Sequence, residues 1–165
     1  MVIDLLAACR LIEDPDNRLA ALSILRSPWC GLLLPDLELL AAGGSVLSED
    51  FESPPGLSPD AGQRLQRLRQ VWQRCHHLRD EAPPRTLLET FWLQMGGADG
   101  YADPGLLDHA DRFLQLVDRH CPEVLDTDVL QRAAEKLFAN DVSRSRLQIM
   151  TIHKAKGLEF DHVIL

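Results

Sequence analysis

The chain has 165 residues, 45% hydrophobic and 25% charged, which suits one globular domain of ordinary size and excludes wholesale disorder. Seventeen Lys and Arg against 25 Asp and Glu give a formal net charge of -8, so a surface that binds nucleic acid all over is excluded and any polyanion site must be local. The run Met1 to Arg10 has an acid at Asp4, no basic segment and too few apolar residues for a signal peptide or membrane span. Cys9, Cys30, Cys75 and Cys121 show no C-x-x-C spacing and read as reduced thiols. A cytoplasmic protein with no membrane partner is expected.

In chain order, apolar residues recur at three and four and each run stops at Gly or Pro, the mark of short helices. Residues 2 to 13 place Val2, Leu5, Leu6 and Cys9 on one face, and Asp14-Pro15-Asp16 ends that helix and caps the next. Leu19, Leu22, Ile24 and Leu25 continue to a stop at Ser27-Pro28. Pro35-Asp36 opens a short helix closed by Gly43-Gly44, and residues 45 to 58 read as loop. Ser58-Pro59-Asp60 starts a long amphipathic helix, with Leu65, Leu68, Trp72 and Cys75 inward and the end near Arg79.

After Pro83-Pro84, Thr86 and Glu89 have capping-box spacing before Phe91 and Trp92, and Gly96-Gly97 is the stop. Gly97 to Gly105 reads as a flexible loop. Leu106, Ala110, Phe113, Leu114 and Val117 define a further helix to Cys121-Pro122. Leu130, Ala133, Ala134, Leu137 and Phe138 define the last. From Leu147 to Ile152 the texture becomes that of a strand, followed by His153-Lys-Ala-Lys-Gly157 and the apolar Val163-Ile-Leu165. An apolar strand needs sheet neighbours that nothing else here offers, so a piece of a larger protein is expected.

Two features bear on polyanions. Residues 61 to 79 carry Arg64, Arg67, Arg69, Arg74 and Arg79 with no acid, whereas Asp99 to Asp128 holds eight acids and two arginines. The basic helix reads either as a solvated face or as a contact for a DNA backbone. The aromatics at helical spacing read as core, and Trp29, after a proline in a turn, as the one to test against DNA or a partner domain. No metal site is expected, since Cys75-His76-His77 point about 100° apart along a helix. His109 and His120 read as helix-surface residues.

The stretch Thr151-Ile-His-Lys-Ala-Lys-Gly-Leu-Glu-Phe160, a strand running into a glycine turn, has the make-up of a phosphate-handling loop. It resembles motif V of the UvrD/Rep-type superfamily 1 DNA helicases. Asp14-Pro-Asp-Asn-Arg through Arg26-Ser-Pro-Trp-Cys-Gly-Leu32 is similar to the start of the accessory 2B region in the same family. Its Arg-Ser-Pro wording resembles the helicase-nuclease branch, that is, AddA-like proteins and the exonuclease V beta-subunit.

That resemblance implies a mainly α fold, with residues 1–142 a helical 2B-like accessory region. Residues 143–165 would be the truncated start of a second RecA-like motor domain, with a short β segment. It implies that Thr151 and His153 contact the backbone of single-stranded DNA, that Gly157 permits the turn, and that Glu159 reaches the ribose hydroxyl of ATP. Lys154 and Lys156 meet phosphate or point to solvent.

The parent would be an ATP-dependent helicase of repair or recombination using ATP and Mg2+. Its partners would be single-stranded DNA, the rest of the motor and, in a helicase-nuclease, a partner subunit. This chain has no Gly-x-x-x-x-Gly-Lys-Ser/Thr loop and no Asp-Glu pair in an apolar strand, so alone it should hydrolyse no ATP and need no cofactor. It also has Trp29-Cys-Gly-Leu-Leu33 where many members of the family it resembles carry a basic Gly-Ile-Gly turn that meets duplex DNA, so duplex contact by this turn is not expected. The rival expectation is a free-standing helical interaction module whose tail matches by coincidence.

Overall fold

The computed structural model describes residues 1–139 except Asp80 and Ala102. These residues fold as seven α-helices: α1 (Val2–Glu13), α2 (Arg18–Arg26), α3 (Leu34–Ala42), α4 (Pro59–His77), α5 (Pro84–Gln94), α6 (Pro104–His120) and α7 (Thr127–Ala139). The mainly α expectation holds for this part. The strand expected over residues 147 to 152, and the boundary at 142/143, lie outside the described residues.

The position of α1 follows from its composition. Its only charged residues are Asp4, Arg10 and Glu13, and a helix apolar on nearly every side can be satisfied only by burial. It packs against α2, α5, α6 and α7, with Leu5, Ala8, Cys9 and Leu11 inaccessible to solvent. Arg10 donates to the Gln131 side chain, tying α1 to α7. Around α1 one continuous apolar core gathers the inward faces of every helix, with Phe91 and Phe113 its largest fully buried side chains. Each contributes roughly 1.5–3 kcal/mol by leaving water, and truncation to Ala would cost about 3–5 kcal/mol once the cavity is included.

The helix starts show where local chemistry outweighs pattern. Ser58 caps α4 as its sequence implies, its Oγ accepting from Ala61 N at 3.2 Å, with Pro59 in the first turn. Leu65, Leu68, Trp72 and Cys75 are buried at the spacing read from the sequence. The cap of α2 is Asn17, whose Oδ1 accepts from Ala20 N at 3.0 Å, rather than Asp16. Asp14 instead turns the chain locally by accepting from Asp16 N.

The capping box at Thr86 does not form. Pro83-Pro84 already has the fixed φ that suits a first helical turn, so α5 begins at Pro84 and Thr86 lies inside it.

The end of α5 is a Schellman stop. Gly96 adopts φ +76, its N–H donates to Leu93 O, and Gly97 N–H donates to Trp92 O, both at 2.9 Å. Gly43, which closes α3, is by contrast extended at φ -90. The segment read as a flexible loop is pinned at several points. Gly97 lies flat against the Trp92 indole, Tyr101 is half-buried and hydrogen-bonded, and Asp103 caps α6 by accepting from Gly105 N at 2.9 Å.

Candidate nucleic-acid interface

Thr151, His153, Lys154, Lys156, Gly157 and Glu159 lie outside the described residues. The candidate contacts within them are the Trp29 turn and the arginines of α4, and the structure brings these two together.

The turn after α2 folds inward. Ser27 O accepts from Cys30 N and Gly31 N, and Gly31 takes φ +65, which only glycine adopts freely. That geometry buries Trp29 to 5% exposure, edge-on to Phe91 at 6.5 Å, with Phe91 in turn edge-on to Trp72 at 6.2 Å. The indole Nε1–H donates to Tyr101 Oη at 2.9 Å, and the Tyr101 hydroxyl donates to Asp4 Oδ2 at 2.6 Å. Burial, with the Asp4 carboxylate beside it, pushes the Tyr101 hydroxyl well up. Trp29 is therefore a core residue and has no free ring face for a base. The proline-turn context suggested exposure because the partner that satisfies its N–H lies 72 residues away.

The arginines of α4 are neither simply solvated nor free. Arg64 Nε donates to Asp60 Oδ2 at 2.7 Å, and its Nη1 donates to Cys30 O at 2.7 Å. Arg67 Nη2 donates to Gln94 O, at the carbonyl end of α5, at 3.0 Å. Arg69 donates to Val46 O and lies over the Phe51 ring, 5.2 Å from its centroid. Arg79 Nη2 reaches Glu13 O at 3.2 Å, and Arg74 bonds its own helix at Gln70 O. Arg64, Arg67 and Arg69 thus tie α4 to backbone carbonyls of other segments, and Arg79, two residues past its end, does the same for the chain that follows, a role that leaves no periodic trace in sequence.

A cleft of about 340 Å³ opens between the turn and the start of α4, lined by Trp29, Cys30, Asp60, Gln63, Arg64, Arg67 and Met95. Desolvation pushes the Cys30 thiol up to about 11, against the nearby arginines, which act to lower it. It is a neutral wall of the cleft at pH 7. Gln63 and Met95 were not singled out in the sequence, since a Gln on a solvated face and a Met at a helix end carry no signal of their own.

Elsewhere the described residues place no group of three or more His, Cys, Asp or Glu where it could hold a metal ion. Cys75 is buried while His76 stacks on Trp72 at 5.8 Å, so the two point apart. All four cysteines are free and buried. No described helix is long and apolar enough to cross a membrane.

The UvrD-like helicase C-terminal domain family matches residues 62–165. The chain is 24% identical to the ATP-dependent DNA helicase PcrA of Bacillus subtilis (strain 168), over 98% of this chain and 25% of that protein. It is 25% identical to the exonuclease/helicase subunit RexA of Lactococcus lactis subsp. cremoris (strain MG1363), over 99% of this chain and 16% of that protein. The chain thus spans a quarter or less of the length of these relatives. No solved structure matches.

Proposed function

The chain belongs to the UvrD-like helicase C-terminal domain family, and on that premise we propose that it is part of an ATP-dependent DNA helicase acting in repair or recombination. Residues 1–142 are its helical accessory region, and residues 143–165 begin its second motor domain. The observation that carries this reading is that the family match runs through residues 151–160, where the motif-V wording stands. A match of that extent supports the motor reading over a coincidental tail on an interaction module. The likeness to RexA, by name an exonuclease/helicase subunit, supports a helicase-nuclease parent with a partner subunit.

In this reading Thr151 and His153 hold the backbone of single-stranded DNA, the hydroxyl donating to a phosphate oxygen and the imidazole resting against the strand. Gly157 lets the backbone turn between that track and the nucleotide, Glu159 accepts from the ribose hydroxyl, and Lys154 and Lys156 lie within reach of phosphate. A loop that grips DNA at one end and nucleotide at the other is a coupling device, because a shift at either end moves the other.

The 165 residues contain no Gly-x-x-x-x-Gly-Lys-Ser/Thr loop, and the described residues offer no metal ligand group. The loop that cradles the ATP phosphates and the Mg2+ site are therefore assigned to other parts of a cytoplasmic parent, where ATP hydrolysis supplies the free energy for translocation. The isolated chain is expected to be inactive.

The test is ATP hydrolysis by the full-length parent with and without single-stranded DNA. Wild type is expected to be DNA-stimulated. Thr151→Ala should raise the DNA concentration for half-maximal stimulation at unchanged KM for ATP, and Glu159→Gln should raise that KM. A parent whose hydrolysis ignores DNA would overturn the reading.

A further inference from the structure

We infer that the groove between the start of α1 and the second half of α7 seats the motor domain that residues 143–165 begin, taking up apolar side chains of that domain. This rests on the motor reading above and adds to it a surface between the accessory region and the motor.

The two helices that wall the groove run antiparallel. Glu13 Oε2, at the end of α1, accepts from Thr127 N, at the start of α7, at 3.3 Å, and about one turn further on Arg10 donates to Gln131. In the same register Leu6 falls beside Ala134 and Glu135, and all three line one groove of about 590 Å³. The start of α1 and the end of α7 therefore lie at the same end of the fold.

The groove is incomplete on its solvent side. The core covers most of the apolar surface of α1, yet Ile3 stays 80% exposed, with Val2 and Leu6 only half-buried beside it. The lining is apolar at Val2, Ile3, Leu6 and Ala134 and polar at Arg10, His109, Gln131 and Glu135, the mixture found where proteins pack on one another. Arg10 and Glu135 are opposite in sign, so the groove holds no single-sign field that would draw a polyanion.

What covers the groove follows from where the chain goes. α7 ends at Ala139, about 7.5 Å along the helix axis from Ala134, and the seven residues that follow let Leu147 lie at most ~26 Å away. Beyond that short connection stand Leu147, Ile149, Met150 and Ile152, then Val163, Ile164 and Leu165. A domain tethered this closely meets the groove at high effective concentration, and covering Ile3 takes an apolar side chain out of water.

The test is thiol labelling of the full-length parent, read by mass spectrometry on the peptide that holds each introduced cysteine. Ile3→Cys and Leu19→Cys are a matched pair, since each replaces the second residue of its helix at a site that is exposed here, by 80% and 73%. An interface open about a tenth of the time makes Ile3→Cys label about tenfold more slowly than Leu19→Cys, without DNA and at every protein concentration. Ile3→Asp should speed trypsin cleavage of the parent after Arg144 and Arg146 several-fold, because undocking frees the connection, whereas Leu19→Asp should leave it unchanged.

Equal labelling at the two positions would overturn the inference. So would protection that disappears on dilution, which marks a second copy, or that appears only with oligonucleotide, which marks nucleic acid. Failure of the motor reading would instead appear as a wild-type parent without DNA-stimulated hydrolysis.

Discussion

The Asp36 carboxylate accepts twice from Ser58, Oδ1 from the backbone N–H and Oδ2 from the hydroxyl, both at 2.9 Å. Asp36 is 7% exposed and sits in the first turn of α3, while Ser58 caps α4, so one buried side chain holds the starts of two helices together. Asp36→Ala should cost about 2–3 kcal/mol, because it leaves both serine donors without a charged acceptor. Urea denaturation should show a lower midpoint with unchanged slope.

Gly97 has no room for a side chain. A Cβ there would lie 1.9 Å from Cδ1 and Nε1 of Trp92, whose ring is 6% exposed in the core. Gly97→Ala should therefore destabilise by about 1–3 kcal/mol through overpacking. Gly44→Ala, with nothing within 4 Å of its Cβ and no positive φ, should be close to neutral. Thermal unfolding of the two variants side by side checks the ranking.

Stability should decline in alkali. Burial pushes the thiol of Cys30 from 9.0 up to about 11, and the thiols of Cys9, Cys75 and Cys121 also rise by burial. A raised thiol pKa means that the folded state holds its proton while the unfolded chain releases it above about pH 9. For Cys30 the stabilisation is complete below that value and is lost as pH rises from about 9 to 11, at about 1.4 kcal/mol per pH unit within that window. Denaturation midpoints should be flat near neutrality and fall through that range, with a shallower fall for Cys30→Ala. A constant midpoint would contradict the burial of these thiols.

What was legible in the sequence divides by range. Helix existence, the inward face of α4 and the Ser58 cap depend on residues three or four apart, and each stands in the structure, whereas Leu19, placed in the apolar run of α2, is exposed. Features that depend on distant partners were not legible. Trp29 looked exposed until Tyr101 and Asp4 supplied its hydrogen-bond chain, and the arginines between residues 61 and 79 looked solvated or DNA-bound until Cys30, Gln94, Val46 and Glu13 appeared as carbonyl acceptors for four of them. Thr86 misled because Pro84 two residues earlier started the helix first. Residues 151–160, proposed as motif V, lie outside the described residues.

The most direct test of the central claim, that residues 151–160 couple ATP use to movement on DNA, is the number of ATP molecules consumed per nucleotide translocated by the full-length parent. The account expects His153→Ala to raise that number several-fold while ATP binding stays near wild type, since only the grip on the strand is weakened. An unchanged ratio together with an unchanged translocation rate would contradict it.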